Sequence, residues 1–112
     1  MSNWDKIIEF NNKYFPGWDE REIIFYSNAL AGEVGEICNK VKKLYGGGTH
    51  REDVTKRDLT EECVDVYVYL ILLVESLGYG EAGFNNVFDG KLQNLYQRMF
   101  ANDSLRRTKN DM

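Results

Sequence analysis

The chain has 112 residues, a length that suits a single domain over residues 1–112, and 43% of them are hydrophobic, which is enough to supply a core. Its formal net charge is −4, so a broad basic surface for a nucleic acid polymer is not expected. The N-terminal residues MSNWDKIIEF are polar and charged, and the longest apolar run, residues 64–74, is about half a membrane span and contains Asp65. These features predict a cytoplasmic protein with neither a signal peptide nor a membrane partner.

Helix start and stop signals predict four helices. Ser2 followed by Asp5 is typical of a helix start, and the three glycines at residues 46–48 are a strong stop. Residues 101–112 are polar and are predicted to form a frayed tail. In chain order, the predicted helices run from Ser2 to about Lys13, from Trp18 or Asp19 to Tyr45, from Asp58 or Thr60 to Gly78, and from about Glu81 to Met99 or Phe100.

Three of these helices carry apolar residues at steps of three and four, the spacing of one helical face. The run VYVYLILLV has the composition of a β-strand, but the stripe through it holds for about five turns, far beyond a typical strand. The pattern predicts an all-α, four-helix bundle, and the nearly all-apolar third helix predicts its completion by homo-oligomerisation. The stripes are Leu30, Val34, Ile37, Val41 and Leu44 on the second helix, Leu59, Cys63, Val66, Leu70, Leu73 and Leu77 on the third, and Phe84, Phe88, Leu92, Leu95 and Met99 on the fourth.

Polar stripes lie one residue before each apolar stripe. One residue rotates the side chain by about 100° around a helix axis, so all the polar stripes flank their apolar stripes on the same side. When the apolar stripes pack together, the polar ones can therefore border a shared groove. The polar stripes contain Glu33, Glu36, Lys40 and Lys43 on the second helix, Glu62 and Asp65 on the third, and Lys91, Asn94 and Arg98 on the fourth.

The carboxylates form two pairs at a spacing of three residues, so each pair points from one helical face. Asp65 lies within an apolar run, where an uncompensated charge is strongly unfavourable. A buried arginine or lysine or a divalent cation would compensate it, and four carboxylates on matching flanks favour the cation. Oxygen donors suit Mg²⁺, with Mn²⁺ as a substitute, whereas a di-iron bundle would need Glu-x-x-His and the only histidine, His50, lies in a predicted loop. The pairs are Glu33 with Glu36 and Glu62 with Asp65.

Cations and an amide on the fourth helix form a candidate phosphate site. Lys91 and Arg98 are seven residues apart, on one helical face with Asn94 between them. Either cation alone is also typical of a solvated surface, but beside carboxylate-bound Mg²⁺ such groups bind phosphates and nucleotides. Lys43, one or two turns past Glu36, is a further candidate.

Three segments together resemble the all-α nucleoside triphosphate pyrophosphohydrolases, the MazG-like superfamily. The segments are GEVGEICNKVKK, EECVDVYVYLILLVESLG and KLQNLYQRM, and the resemblance covers about residues 28–99. The family signature is E-x-x-E on one helix and E-x-x-D on the next, separated by a variable loop and followed by lysine and arginine on a further helix. Here 25 residues separate Glu36 from Glu62.

The resemblance implies hydrolysis of a nucleoside triphosphate, or its deoxy form, to the monophosphate and pyrophosphate. It also implies a homodimer or homotetramer. Among the carboxylates, Glu36 is predicted to act as the base toward water. The implied roles are Mg²⁺ ligands for Glu33, Glu36, Glu62 and Asp65, and phosphate or nucleotide contacts for Lys91, Arg98, Lys43 and Asn94.

Two positions depart from the pattern of many family members. Gly32 stands where many have a glutamate, and Leu95 stands where many have an asparagine, with Asn94 one position earlier. Gly32 and Gly35 share one helical face, where the missing side chains predict a close approach by another helix or a nucleoside. The alternative to an enzyme is a non-catalytic helical oligomer that acts as a nucleotide-binding or protein-interaction module.

Overall fold

The computed structural model describes residues 1–46 and 54–110, with side chains up to residue 103, and within these ranges the chain is helical without β-strands. The all-α prediction is therefore confirmed for this part of the chain, as are four helices. The predicted glycine stop begins as expected at Gly46, whereas residues 47–48 and His50 lie outside the described residues. The helices are α1 (Asn3–Tyr14), α2 (Ile23–Tyr45), α3 (Lys56–Ser76) and α4 (Glu81–Asn110), with a short 3-10 helix at Trp18–Glu20.

The chain divides into two compact units, Met1–Gly78 and Tyr79–Met112. The first contains α1, the 3-10 helix, α2 and α3, and α2 packs mainly against α3 while α1 also contacts α3. The second contains α4. The single domain over residues 1–112 stays a prediction.

Side-chain caps explain where α1 and α3 begin. The Ser2 hydroxyl accepts a hydrogen bond from the backbone N–H of Asp5, as the sequence predicts. At α3 the cap is Thr55, earlier than the predicted start at Asp58 or Thr60, because Asp58 is the third helical residue of a capping box. The Thr55 hydroxyl accepts from the Asp58 N–H, and the Asp58 carboxylate accepts from the Thr55 N–H.

The capping box predicts a pH-dependent stability. Hydrogen bonds from the backbone and side chain of Thr55 hold the pKa of Asp58 below its usual value. The resulting stabilisation is present above the unfolded-state pKa and is lost as the pH falls through the lower folded-state pKa. We expect Asp58→Ala to lower the Tm at neutral pH and the difference from wild type to shrink below about pH 4. Circular dichroism melts across this range check it, and a constant difference would contradict it.

The second helix starts later than predicted, and Trp18 is the reason. The Trp18 carbonyl accepts a hydrogen bond from the Tyr26 hydroxyl at 2.5 Å, and the indole N–H of Trp18 donates to Asn12. Gly17, in the left-handed region at φ 91°, turns the chain into the 3-10 helix. Arg21 and Glu22 are extended, so α2 begins only at Ile23. The prediction that the second helix starts at Trp18 or Asp19 was therefore wrong.

The last helix is longer than predicted. Helix α4 continues to Asn110, beyond the expected end at Met99 or Phe100, so residues 101–110 are helical and not an irregular tail. Residues 101–110 contain neither glycine nor proline, and their alanine, leucine, arginine and lysine residues have good helix propensity. Polarity alone was therefore a poor guide to the helix end.

The core of the first unit is built around Trp18, Tyr26 and Leu72, which are each less than 10% exposed. Near the start of α1, the Trp4 indole N–H donates to the Glu75 carboxylate at 2.7 Å, and this hydrogen bond links α1 to α3. Partly buried apolar side chains surround this core, from α1 and α3: Ile7, Ile8, Val68, Tyr69 and Leu73.

The predicted apolar stripes are only partly buried in the described chain. Val34 and Val41 on α2 are exposed, and the most buried residues of α3, Ile71 and Leu72, lie off its predicted stripe. Leu72 belongs instead to the stripe that contains Glu62 and Asp65, so one face of α3 is polar near its start and packed further along. Val34 and Val41 are therefore not part of the core of the described chain.

Among the described residues, no single helix is both long and apolar enough to cross a membrane. Helices α3 and α4 reach the length and composition of a span only when they are counted together across the break at residues 77–80.

Candidate functional site

Three carboxylates meet where α2 packs against α3. Glu33 projects from α2, and Glu62 and Asp65 project from α3, where their spacing of three residues puts them on one face. One carboxylate oxygen from each residue lies within 4.8 Å of the others. We call these three residues the acidic cluster. Three of the four predicted metal ligands are therefore close together, although they come from separate helices.

The acidic cluster has a cationic neighbour on α2. The Lys40 ammonium donates to the Glu62 carboxylate, with 2.5 Å between Nζ and Oε1. Lys40 lies seven residues after Glu33, two helical turns along the same face. The sequence places Lys40 on the polar stripe, but the predicted site residues did not include it. Its position seven residues after Glu33 was the signal that could have identified it.

The charges within this site shift one another's pKa values. The pKa of Glu33 is raised, and partial burial is the largest cause. A hydrogen bond with Glu62 and the charges of Asp65, Glu62 and Glu36 raise it further. The hydrogen bond from Lys40 is the main cause that lowers the pKa of Glu62, and the same bond raises the pKa of Lys40. The pKa shifts of Glu62 and Glu33 are therefore in opposite directions, and Glu62 is the one that loses its proton more readily.

Glu36, the fourth predicted ligand and the predicted base, is near the acidic cluster but is not one of its three members. Its side chain is exposed on α2, one turn after Glu33. Its charge contributes to the raised pKa of Glu33 and of Lys40. The carboxylate of Glu36 therefore acts on the site through its charge.

The environment of Asp65 differs from the sequence expectation. Asp65 lies inside an apolar run, yet its side chain is exposed. Val64 and Tyr67, close to it in sequence, are 54% and 44% exposed, so the start of the run is open to solvent, whereas Ile71 and Leu72 further along it are buried. The argument that a buried Asp65 needs compensation was therefore wrong, and its proximity to Glu33 and Glu62 is the observation that remains.

A cavity of about 500 Å³ adjoins the acidic cluster, and Glu33 and Asp65 are part of its wall. This volume is within the range of small-molecule sites. Most of the wall is apolar or aromatic, and Lys6 of α1 adds a cation. The remaining lining residues are Ile7, Phe10, Asn11, Phe15, Val68, Tyr69 and Leu72.

The contribution of α1 to this cavity is what the sequence analysis missed. Trp4, Ile7 and Ile8 occupy the core-facing positions of α1, and the next position in that spacing is Asn11. Asn11 is 8% exposed, and its amide donates to the Ile7 carbonyl at 2.9 Å. A polar residue at a core position of an amphipathic helix was the available signal. A smaller cavity of about 180 Å³ is lined by Trp18 together with Asn11.

The predicted phosphate contacts are all exposed. Lys43 lies on α2, one turn beyond Lys40, whereas the ion pair with the acidic cluster is made by Lys40. The other three are on α4, in the second unit, where their spacing puts them on one side of the helix. These three are Lys91, Asn94 and Arg98.

The two glycines of α2 have open surroundings. A Cβ atom added to Gly32 or Gly35 would meet nothing within 4 Å in the described chain. The predicted close approach by a neighbouring helix is therefore not made within this part of the chain. Cys38, on the same helix, is an exposed free thiol, as is Cys63 on α3.

The chain matches no protein-family model, no curated protein and no solved structure. The resemblance to the MazG-like enzymes therefore rests on the motif residues alone.

The acidic cluster fits a small divalent cation by donor chemistry and by spacing. Its donors are carboxylate oxygens, which hard cations such as Mg²⁺ and Mn²⁺ prefer. Oxygens around one Mg²⁺ lie no more than about 4.2 Å apart, since each is about 2.1 Å from the ion. The ligand atoms of the acidic cluster, within 4.8 Å of one another, are close to that spacing.

Proposed function

We propose that this protein is a Mg²⁺-dependent, MazG-like nucleoside triphosphate pyrophosphohydrolase, which converts a nucleoside or deoxynucleoside triphosphate to the monophosphate and pyrophosphate. The observation that carries the proposal is the meeting of Glu33, Glu62 and Asp65 beside a cavity of about 500 Å³. E-x-x-E and E-x-x-D motifs are common on solvated helices, but carboxylates from two helices that converge beside a pocket are the arrangement that a metal-assisted hydrolase needs.

Glu33, Glu62 and Asp65 would hold Mg²⁺, with Glu36 as a further ligand or as the base. When bound, Mg²⁺ supplies charge neutralisation of the triphosphate and polarisation of the attacked phosphorus and of the attacking water. Glu36 is exposed and outside the acidic cluster, so its carboxylate is free to accept a proton from that water.

The cavity beside the acidic cluster suits the nucleoside part of the substrate. Phe10, Phe15 and Tyr69 provide aromatic surface against which a planar base can stack. Lys6 adds a positive charge to the same cavity. Lys43, Lys91, Asn94 and Arg98 are proposed to contact the phosphates, as the resemblance implies.

The proposal includes self-association as a homodimer or homotetramer in the cytoplasm. Support comes from apolar side chains that the described chain leaves exposed on α2 and α3, among them Val34, Val41 and Val64. Apolar surface that remains on packed helices is typical of subunit interfaces.

The test is product analysis with the purified full-length chain. A panel of nucleoside and deoxynucleoside triphosphates is incubated with Mg²⁺, and the products are separated by ion-exchange chromatography and identified by ³¹P nuclear magnetic resonance. We expect monophosphate and pyrophosphate in equal amounts from at least one substrate, and no products when EDTA removes the metal.

Orthophosphate with a nucleoside diphosphate would contradict the proposal, because it places cleavage at the terminal phosphate. No turnover of any substrate, together with no Mg²⁺-dependent rise in Tm, would favour the non-catalytic helical oligomer. The same panel reports base and sugar preference.

A further inference from the structure

Lys40 forms an ion pair with one member of the acidic cluster. Its ammonium contacts Glu62, the carboxylate whose pKa is lowered by that bond. The acidic cluster places three carboxyl groups beside this one ammonium. A divalent cation would bring further positive charge to them, provided that it gains access to Glu62.

We propose that Lys40 is a built-in competitor for the metal, which occupies Glu62 until a divalent cation displaces the ammonium toward solvent. The proposal rests on the proposed function only in that it takes the acidic cluster to be the metal site. It adds a residue outside the motifs and a means by which this chain sets its metal affinity.

The two cations cannot share Glu62 without a penalty. The ammonium nitrogen is 2.5 Å from the carboxylate oxygen, and a Mg²⁺ ion bound to that carboxylate would be about 2 Å from an oxygen of it. The cations would then lie within a few ångströms of each other, where like charges repel. Displacement of the ammonium removes this repulsion.

The Lys40 side chain has a route out of the site. It is 28% exposed, against 15% for Glu62, so it is the more accessible side chain of the pair. A lysine stem with four rotatable bonds can move its charge into water at small cost. Glu62 itself remains in the acidic cluster when the ammonium leaves.

The first test measures Mn²⁺ binding by the full-length chain, using electron paramagnetic resonance of free Mn²⁺. We expect Lys40→Met to bind Mn²⁺ about tenfold more tightly than wild type, because a competing charge is removed. Lys40→Arg should bind no more tightly than wild type. Lys42→Met is the matched control for the loss of a positive charge from α2, and its affinity should change much less than that of Lys40→Met.

The second test follows Lys40 in the unaltered protein and does not depend on the folding of a variant. Full-length chain is acylated briefly with an amine-reactive reagent, with and without Mn²⁺, and each lysine is quantified by peptide mass spectrometry. Displacement predicts that Mn²⁺ increases acylation of Lys40 relative to Lys42 and Lys43. Equal or reduced acylation of Lys40 would overturn the proposal.

The outcomes separate this inference from the proposed function. If wild type binds Mn²⁺ and Lys40→Met binds it equally or more weakly, the competitor role is overturned. The metal site and its activity would then stand. An equal gain in Lys42→Met would also overturn it, since general electrostatics would then account for the effect. Absence of Mn²⁺ binding by both wild type and Lys40→Met would overturn the metal site itself and the inference with it.

Discussion

Replacement of Asp65 by asparagine is expected to lower Mg²⁺-dependent pyrophosphate release at least about 100-fold, because it removes one charged oxygen ligand from the acidic cluster. The fold should survive, since the Asp65 side chain is exposed and the amide has nearly the same shape. The far-UV circular dichroism spectrum and the Tm without metal should stay close to wild type. Activity is measured as pyrophosphate released per enzyme at saturating Mg²⁺.

The matched control for this change is Glu61→Gln, on the same helix. Glu61 is exposed and pairs with Arg57 at 3.1 Å, on the adjacent face of α3, so its loss should leave activity near wild type. Activity within a fewfold of wild type in Asp65→Asn would rule out a ligand role for this carboxylate. Equal losses in both variants would point to a nonspecific effect of charge on α3.

Replacement of Tyr26 by alanine is expected to lower the free energy of unfolding by roughly 3–5 kcal/mol, a large part of the stability of a small domain. Tyr26 is 2% exposed and packs with Trp18 and Leu72, so truncation leaves a cavity at the centre of the core. It also removes the hydroxyl that donates to the Trp18 carbonyl. Urea unfolding followed by circular dichroism measures the change.

Tyr26→Phe separates the two contributions. This variant keeps the ring and loses only the hydroxyl, and it should cost about 1–3 kcal/mol because the Trp18 carbonyl is left without its donor. Tyr45→Ala, at a position of the same helix that is 62% exposed, is the control and should cost much less. A loss in Tyr26→Ala as small as that in Tyr45→Ala would contradict the assignment of Tyr26 to the core.

The helix ends show how far local signals extend. Ser2 and Thr55 are both side-chain caps, yet only the first was predicted, because Asp58 three residues later is as strong a start signal as the threonine itself. At α2 the local pattern predicts an earlier start. The hydrogen bond from Tyr26 to Trp18 joins residues eight apart through packing, so no local signal in the sequence reports it.

In the acidic cluster too, some features follow from local spacing in the sequence and others only from the packing of the helices. The spacing of Glu62 and Asp65 follows from helix geometry alone and was predicted, as was the meeting of their helix with the helix of Glu33. The exclusion of Glu36 from the closest group was not, because it depends on the angle at which α2 crosses α3. The cavity beside the acidic cluster depends on where α1 packs. The spacing of apolar residues along α1 shows which face is buried but not which helix that face contacts.

What the sequence by itself determined about this protein is therefore local: all-α secondary structure, some of the helix bounds such as the start of α1 and the end of α2, and the residues that share a helical face. These follow from the 3.6-residue repeat and from capping side chains, which act over a few residues. The tertiary structure alone decided which faces are buried, which three carboxylates converge, and that Lys40 contacts Glu62. The physical reason is that a helix with apolar residues on several sides can pack in several ways, and only the sum of contacts across the unit selects one.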